Sequence, residues 1–202
     1  MKKSIKNRAL PIERSIPQLS YDERELLPLL LPASGLLSRT VIRTVTKADN
    51  HVGEKLSLRL SERYADGSTP PEKLLVHFIG KAGDYFGDGL VSGVTFVVDE
   101  IGSHGCAKMH GGVVVILGTP GESFGEQFTC GCAYVYDAKS RLKPAVGCQL
   151  SVEHLQASSA EAQLLRALVE QHAELTGSPK AKKLLEDWPA ALPLFVRITT
   201  SI

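Results

Sequence analysis

Thirteen of the chain's 18 glycines fall between Gly80 and Gly131, and their spacing repeats. Gly80, Gly83, Gly87 and Gly93 recur 38 residues later as Gly118, Gly121, Gly125 and Gly131, with Phe86 matched by Phe124. Each set leads into an apolar, β-prone run: VTFVV at 94–98 and CAYVY at 132–136. A shorter third copy lies between them, with Gly102, Gly105, Gly111 and Gly112 ahead of VVVIL at 113–117; its first glycine stands 22 residues after Gly80 and 16 before Gly118. Glycine belongs at corners, where the backbone turns left-handed or a neighbouring chain comes too close for a Cβ. Short strands separated by such corners are the coils of a β-helix, each pairing with the coil above and below. A dinucleotide-binding turn would need a long helix after its glycines. Here another strand follows instead, so a phosphate-binding βαβ unit is excluded.

The flanks supply the rest of the architecture. SRTVIRTVTK (38–47) is rich in β-branched residues and reads as a strand, as does LLVHFI (74–79). Between them, Asp49 to Tyr64 fits either state, because Leu56, Leu58 and Leu60 alternate while Val52, Leu56 and Leu60 also recur at helical spacing. Asp66-Gly67 and Pro70-Pro71 mark a break. Near the N-terminus, Ser20 and Glu23 form a capping-box pattern for a short helix limited by Pro28. The clearest helix opens at Ser158 with Glu161 as its capping partner and stops at Gly177. A second starts at Ser178-Pro179, carries Leu184, Leu185 and Trp188, and is broken by Pro189. The expected organisation is an N-terminal extension or cap at 1–37, a β-helix domain at 38–150 and a C-terminal helical cap at 151–202, since open coil ends must be covered.

Bulk composition removes several function classes. Lys plus Arg number 23 against 22 for Asp plus Glu, a net charge of +1, and aromatic residues are 6% of the chain. Nucleic-acid partners are therefore not expected. The apolar stretch Leu26–Pro32 is too short to cross a membrane and holds two prolines, so no membrane partner is expected either. The basic start MKKSIKNRAL is not followed by an apolar signal core, which points to the cytoplasm. Cys106, Cys130, Cys132 and Cys148 include no C-x-x-C pair, so free thiols are expected rather than disulfides or clusters.

One stretch is recognisable. GSHGCAKMHGGVVVILG (102–118) resembles the D-H-G-C-E-Y-M-T-G-G-x-V-V-V-L-G signature of the C-terminal GXGXG domain of the glutamate synthase large chain. GESFGEQFTCGCAYVYD (121–137) is similar to that family's following coil, as are DNHVGEKLSLRLSERYADG (49–67), GKAGDYFG (80–87) and the tail QHAELTGSPKAKKLLEDW (171–188). The chain departs from the pattern at Ser103, Ala107, Lys108 and Cys130, and the interval before the central signature is short, as if coils were missing. The resemblance implies a mainly β fold, a single-stranded right-handed parallel β-helix with an N-terminal cap segment and C-terminal α-helices. It also implies a non-catalytic scaffold that holds a glutamine amidotransferase domain against an FMN-binding synthase domain. No cofactor is expected on the chain itself, and uncovered coil ends would favour a homo-oligomer.

The residues singled out are of two kinds. Gly80, Gly83, Gly87, Gly93, Gly102, Gly105, Gly112, Gly118, Gly121, Gly125 and Gly131 are read as structural corners. His104, Cys106 and Met109 are the motif residues, with no catalytic residue and no metal expected. The alternative metal set is His104, Cys106, Cys130 and Cys132, brought together if coils stack. A self-contained metal- or cysteine-dependent enzyme would use His104, Cys106 and Cys132. A third reading is the β-helix subunit of a complex resembling formylmethanofuran dehydrogenase. Asp84 and Asp88 are read as turn residues bonding their own backbone, and His172 as a helix-interface residue.

Overall fold

Every long apolar run of this chain is buried on both sides, which accounts for runs such as VVVIL that do not alternate with polar residues. The computed structural model describes residues 19–30, 38–65 and 73–201. Strands β1 (Ser38–Val45), β2 (Lys73–Lys81), β3 (Val94–Glu100), β4 (His110–Ile116) and β5 (Cys130–Tyr136) pair in parallel in chain order. The sheet then continues through β7 (Phe195–Thr200) and β6 (Leu150–His154), both antiparallel to their neighbours. It is a mixed sheet of seven strands, with helices on it.

One face of the sheet, carrying Val76, Phe78, Phe96, Val98, Val114, Ile116 and Val135, packs against the connecting loops through Phe86, Met109 and Phe124. Phe78 meets Phe86 and Phe96 edge to face at 5.1 and 5.0 Å, so the rings lock three successive connections together. The opposite face, with Val97, Val115 and Tyr134, is covered by α2 (Ala160–Thr176), α3 (Pro179–Glu186) and the single turn α4 (Trp188–Ala191). The region 151–202 is thus more than a helical cap: most of β6 and all of β7 extend the sheet itself. Their short, mixed-polarity sequences, LSVEH and FVRITT, drew no strand reading because pairing partners some 40 residues apart cannot be seen locally.

The ambiguous segment is a helix, α1 (Glu54–Arg63). Gly53 precedes it and offers no side-chain cap. The cap comes from far away: buried Asp22 accepts from the N–H groups of Gly53 and Leu56 at 2.8 and 3.0 Å. Asp22 is held by the turn that Ser20 and Glu23 cap reciprocally. Two boundaries differ from expectation. Ser159, not Ser158, accepts from Ala162 N–H at the start of α2. Pro189 does not break α3, which ends at Glu186; it sits in the first turn of α4, where its missing N–H costs nothing. The expected cap at 1–37 falls largely outside the described residues.

The three-copy repeat is real but its middle copy is out of register with the reading above. Gly102 N–H bonds Gly83 carbonyl, and Gly121 N–H bonds Gly102 carbonyl, both at 2.9 Å, so the spacing is 19 residues at each step. Gly102 matches Gly83, not Gly80. Glycine alone misleads here because Gly105 stands where Phe86 and Phe124 stand, and Cys106 takes the left-handed position held by Gly87 and Gly125. The Gly83, Gly102 and Gly121 column is glycine for want of space: a Cβ on Gly121 would lie 2.9 Å from Ser103 Cα and N, and one on Gly102 would lie 2.9 Å from the Gly83 carbonyl. Gly80, Gly93, Gly112, Gly118 and Gly131 lie in or beside the strands.

Candidate functional site

The loops that face away from the strands stack on one another and build a polar surface from one residue per coil. Asn50 Oδ1 accepts from Asp84 N–H at 2.8 Å, Asp84 Oδ1 from Ser103 N–H at 2.7 Å, and Ser103 Oγ from Glu122 N–H at 3.2 Å. Asp84 therefore satisfies the next coil's backbone rather than its own. One residue on, His51, Tyr85, His104 and Ser123 all take left-handed φ between 53° and 58°. That shared geometry stacks the rings: His51 on Tyr85 at 4.4 Å and Tyr85 on His104 at 4.5 Å, within 6° of parallel. Each histidine also reaches an acidic side chain of the next coil, His51 Nδ1 to Asp88 Oδ2 at 2.9 Å and His104 Nδ1 to Glu126 Oε2 at 3.5 Å.

This arrangement separates the two central motif residues. His104 lies on the loop surface in the ring stack, whereas Cys106 is fully buried in the core beside the sheet. Burial pushes the Cys106 thiol well above the ordinary cysteine range, and Cys132 in the same direction. A thiol held protonated is neither a nucleophile nor a good metal ligand. Met109 is buried beneath Gly131, where a Cβ would meet its Cε at 2.7 Å, so its role in the structure is packing. Cys130 is exposed at the start of β5, opposite His110. Among the described residues, the group of three or more potential metal ligands whose atoms converge is His51, Glu54 and Asp88, and it contains none of His104, Cys106, Cys130 or Cys132.

A second polar cluster lies buried between the sheet and the C-terminal helices. His77 Nδ1 and His172 Nδ1 are 3.1 Å apart, His172 Nε2 is 3.3 Å from Asp99 Oδ1, and Ser178 Oγ donates to the same oxygen at 2.6 Å. The carboxylate can only accept, which assigns the protons along the chain: His172 Nε2–H donates to Asp99, leaving His172 Nδ1 to accept from His77 Nδ1–H. His77 Nε2 is then an unprotonated nitrogen, and it has no partner. A second proton there would be buried without an acceptor, and burial followed by the charge of His172 lowers the His77 pKa to about 4. The bonds to His172 and Ser178 hold Asp99 below the usual carboxylate range despite its burial. The cluster ties β2, β3, α2 and the N-cap of α3 together.

Sequence reasoning found His104 and Cys106 but missed His51, Asp88 and the His77 and Asp99 partners of His172. For His51 the available signal was the 19-residue column it shares with Tyr85 and His104; for the buried cluster, with 95 residues between its histidines, there was none.

The comparisons with known proteins point to one family. Glutamate synthase [NADH] of Schizosaccharomyces pombe is 37% identical over 107 residues, 53% of this chain and 5% of the relative. The glutamate synthase [NADPH] large chain of Bacillus subtilis is 37% identical over 121 residues, 59% of this chain and 8% of the relative. The chloroplastic ferredoxin-dependent glutamate synthase of Spinacia oleracea is 39% identical over 119 residues, 57% of this chain and 7% of the relative. The chain thus spans less than a tenth of the length of each. Residues 90–201 match the GXGXG motif family. With more than half of its residues inside that match, the chain belongs to the GXGXG motif family.

Proposed function

We propose that the chain is a non-catalytic scaffold in a glutamate-synthase-like complex of the cytoplasm, where it organises a glutamine amidotransferase and an FMN-binding synthase. The observation that carries this reading is the placement of the match: the similarity to glutamate synthases falls on a rigid stack of loops and strands whose central cysteine is buried and protonated. Its scaffold is a single-stranded right-handed parallel β-helix over 38–150, capped by the N-terminal extension and by 151–202. Five parallel strands in chain order, and loops bonded to each other at 19-residue steps, support that architecture. The corner glycines and His104, Cys106 and Met109 serve shape rather than chemistry. The burial of Cys106 counts against a self-contained cysteine-dependent enzyme, and nothing particular favours a formylmethanofuran-dehydrogenase-like role.

The test is isolation of the native assembly from its own cells. The expected result is a complex in which this chain accompanies both an amidotransferase and a flavoprotein, with glutamine-dependent glutamate formation present in the complex and absent from the chain alone. A chain that elutes by itself or as a homo-oligomer, with neither protein attached, would refute the scaffold role.

A further inference from the structure

The loop surface contains one charge that the fold leaves incompletely answered. Asp88 is 1% exposed, its Oδ2 is bonded to His51 Nδ1 at 2.9 Å, and its Oδ1 is buried with no hydrogen-bond partner. A buried carboxylate needs a full complement of donors or a cation, since desolvation of an uncompensated charge costs several kcal/mol. The neighbouring charge makes matters worse: Glu54 Oε2 lies 4.0 Å from the same His51 nitrogen, and the ligand atoms of His51, Glu54 and Asp88 all fall within 4.8 Å of one another. Two carboxylates thus share one imidazole. The positive end of α1 does not resolve this, because the Asp22 carboxylate already occupies it.

We propose that His51, Glu54 and Asp88 bind one divalent cation of the zinc or manganese class, through His51 Nδ1 and one carboxylate oxygen from each acid. A mixed nitrogen and oxygen donor set suits such borderline ions. Ligands around a zinc ion at about 2.0–2.2 Å stand a little over 3 Å apart, so the triad needs sub-ångström closure. Glu54, half exposed at the first position of α1, supplies that movement. His51 is locked in orientation by its stack on Tyr85 and by its left-handed backbone, and Asp88 by burial, so two of the three ligands are held in advance. His51 is also open to water on one side, which leaves room for solvent to complete the coordination shell. Bound there, the ion staples the loop before α1 to the loop after β2, neutralising Asp88 at the junction of two successive coils. The Nδ1 proton leaves on binding, so affinity falls at acidic pH.

The experiment uses the full chain, stripped of metal by a chelator, with Zn²⁺ as the probe in titration calorimetry and Co²⁺ for spectroscopy. One equivalent of zinc is expected to bind and to raise the melting temperature. Glu54→Gln, an exposed change that leaves the core untouched, is expected to weaken binding at least about tenfold, the lower range seen even for outer-shell partners. Asp88→Asn is expected to remove the zinc-dependent rise in melting temperature. The Cys130→Ser, Cys132→Ser double variant is expected to bind as the wild type does, and the cobalt spectrum to lack a thiolate charge-transfer band. Absence of saturable binding, undiminished binding in Glu54→Gln, or a thiolate band lost in the cysteine variant would each overturn the assignment.

Discussion

Removal of the titrating ring at position 77 isolates the energetic effect of the buried histidine cluster. The folded His77 pKa of about 4 lies below the ordinary histidine value of about 6.5. The unfolded chain therefore binds a proton that the folded chain refuses, and the contribution to stability is full above about pH 6.5 and falls as the pH drops toward 4. For one site with these two values, the loss between about pH 7 and about pH 5 amounts to about 1–2 kcal/mol, the lower end allowing for water reaching the rim of the cluster. His172, Asp99 and Gln171 are the polar groups facing this pair. Asp99, with its lowered pKa, gives up its contribution only below the usual carboxylate range, outside this window. His77→Gln keeps an N–H donor for His172 Nδ1 and does not titrate. Urea unfolding of both proteins at the two pH values yields the double difference, in which every group shared by the two cancels. The wild type is expected to lose about 1–2 kcal/mol more than the variant. Equal losses would show that His77 accepts its proton in the folded state, and the tautomer assignment would fail with it.

Two more outcomes follow from the geometry of the coils. Gly121→Ala is expected to cost about 1–3 kcal/mol, read as a lowered urea midpoint, because its Cβ would meet the Ser103 backbone at 2.9 Å. In native protein a thiol reagent is expected to modify exposed Cys130 first and Cys106 only on unfolding, since burial keeps Cys106 both inaccessible and protonated; peptide mapping after timed quenching checks the order.

How much of this was legible in advance depended on the range of the interaction. The runs LLVHFI, VTFVV, VVVIL and CAYVY declare strands because β-branched and aromatic side chains pack on both faces of the sheet. Ser178-Pro179 and Gly177 mark helix ends through bonds made within a few residues. The register of the middle coil was not legible from glycines, because spatial matching depends on which residues turn left-handed, and Cys106 does so without being glycine. Helix α1 was ambiguous because its cap, Asp22, lies 31 residues before Gly53.

By itself the sequence determined that the chain builds short parallel strands separated by glycine corners, and its motif determined the family, because local sterics and repeat spacing are written residue by residue. Tertiary structure alone decided which polar groups meet. The 19-residue stacking puts His51 on Tyr85 and against Asp88, and the packing of α2 on the sheet puts His172 between His77 and Asp99. Those contacts join residues 34 to 95 positions apart, and only closure of the coils and docking of the helix bring such groups within bonding distance.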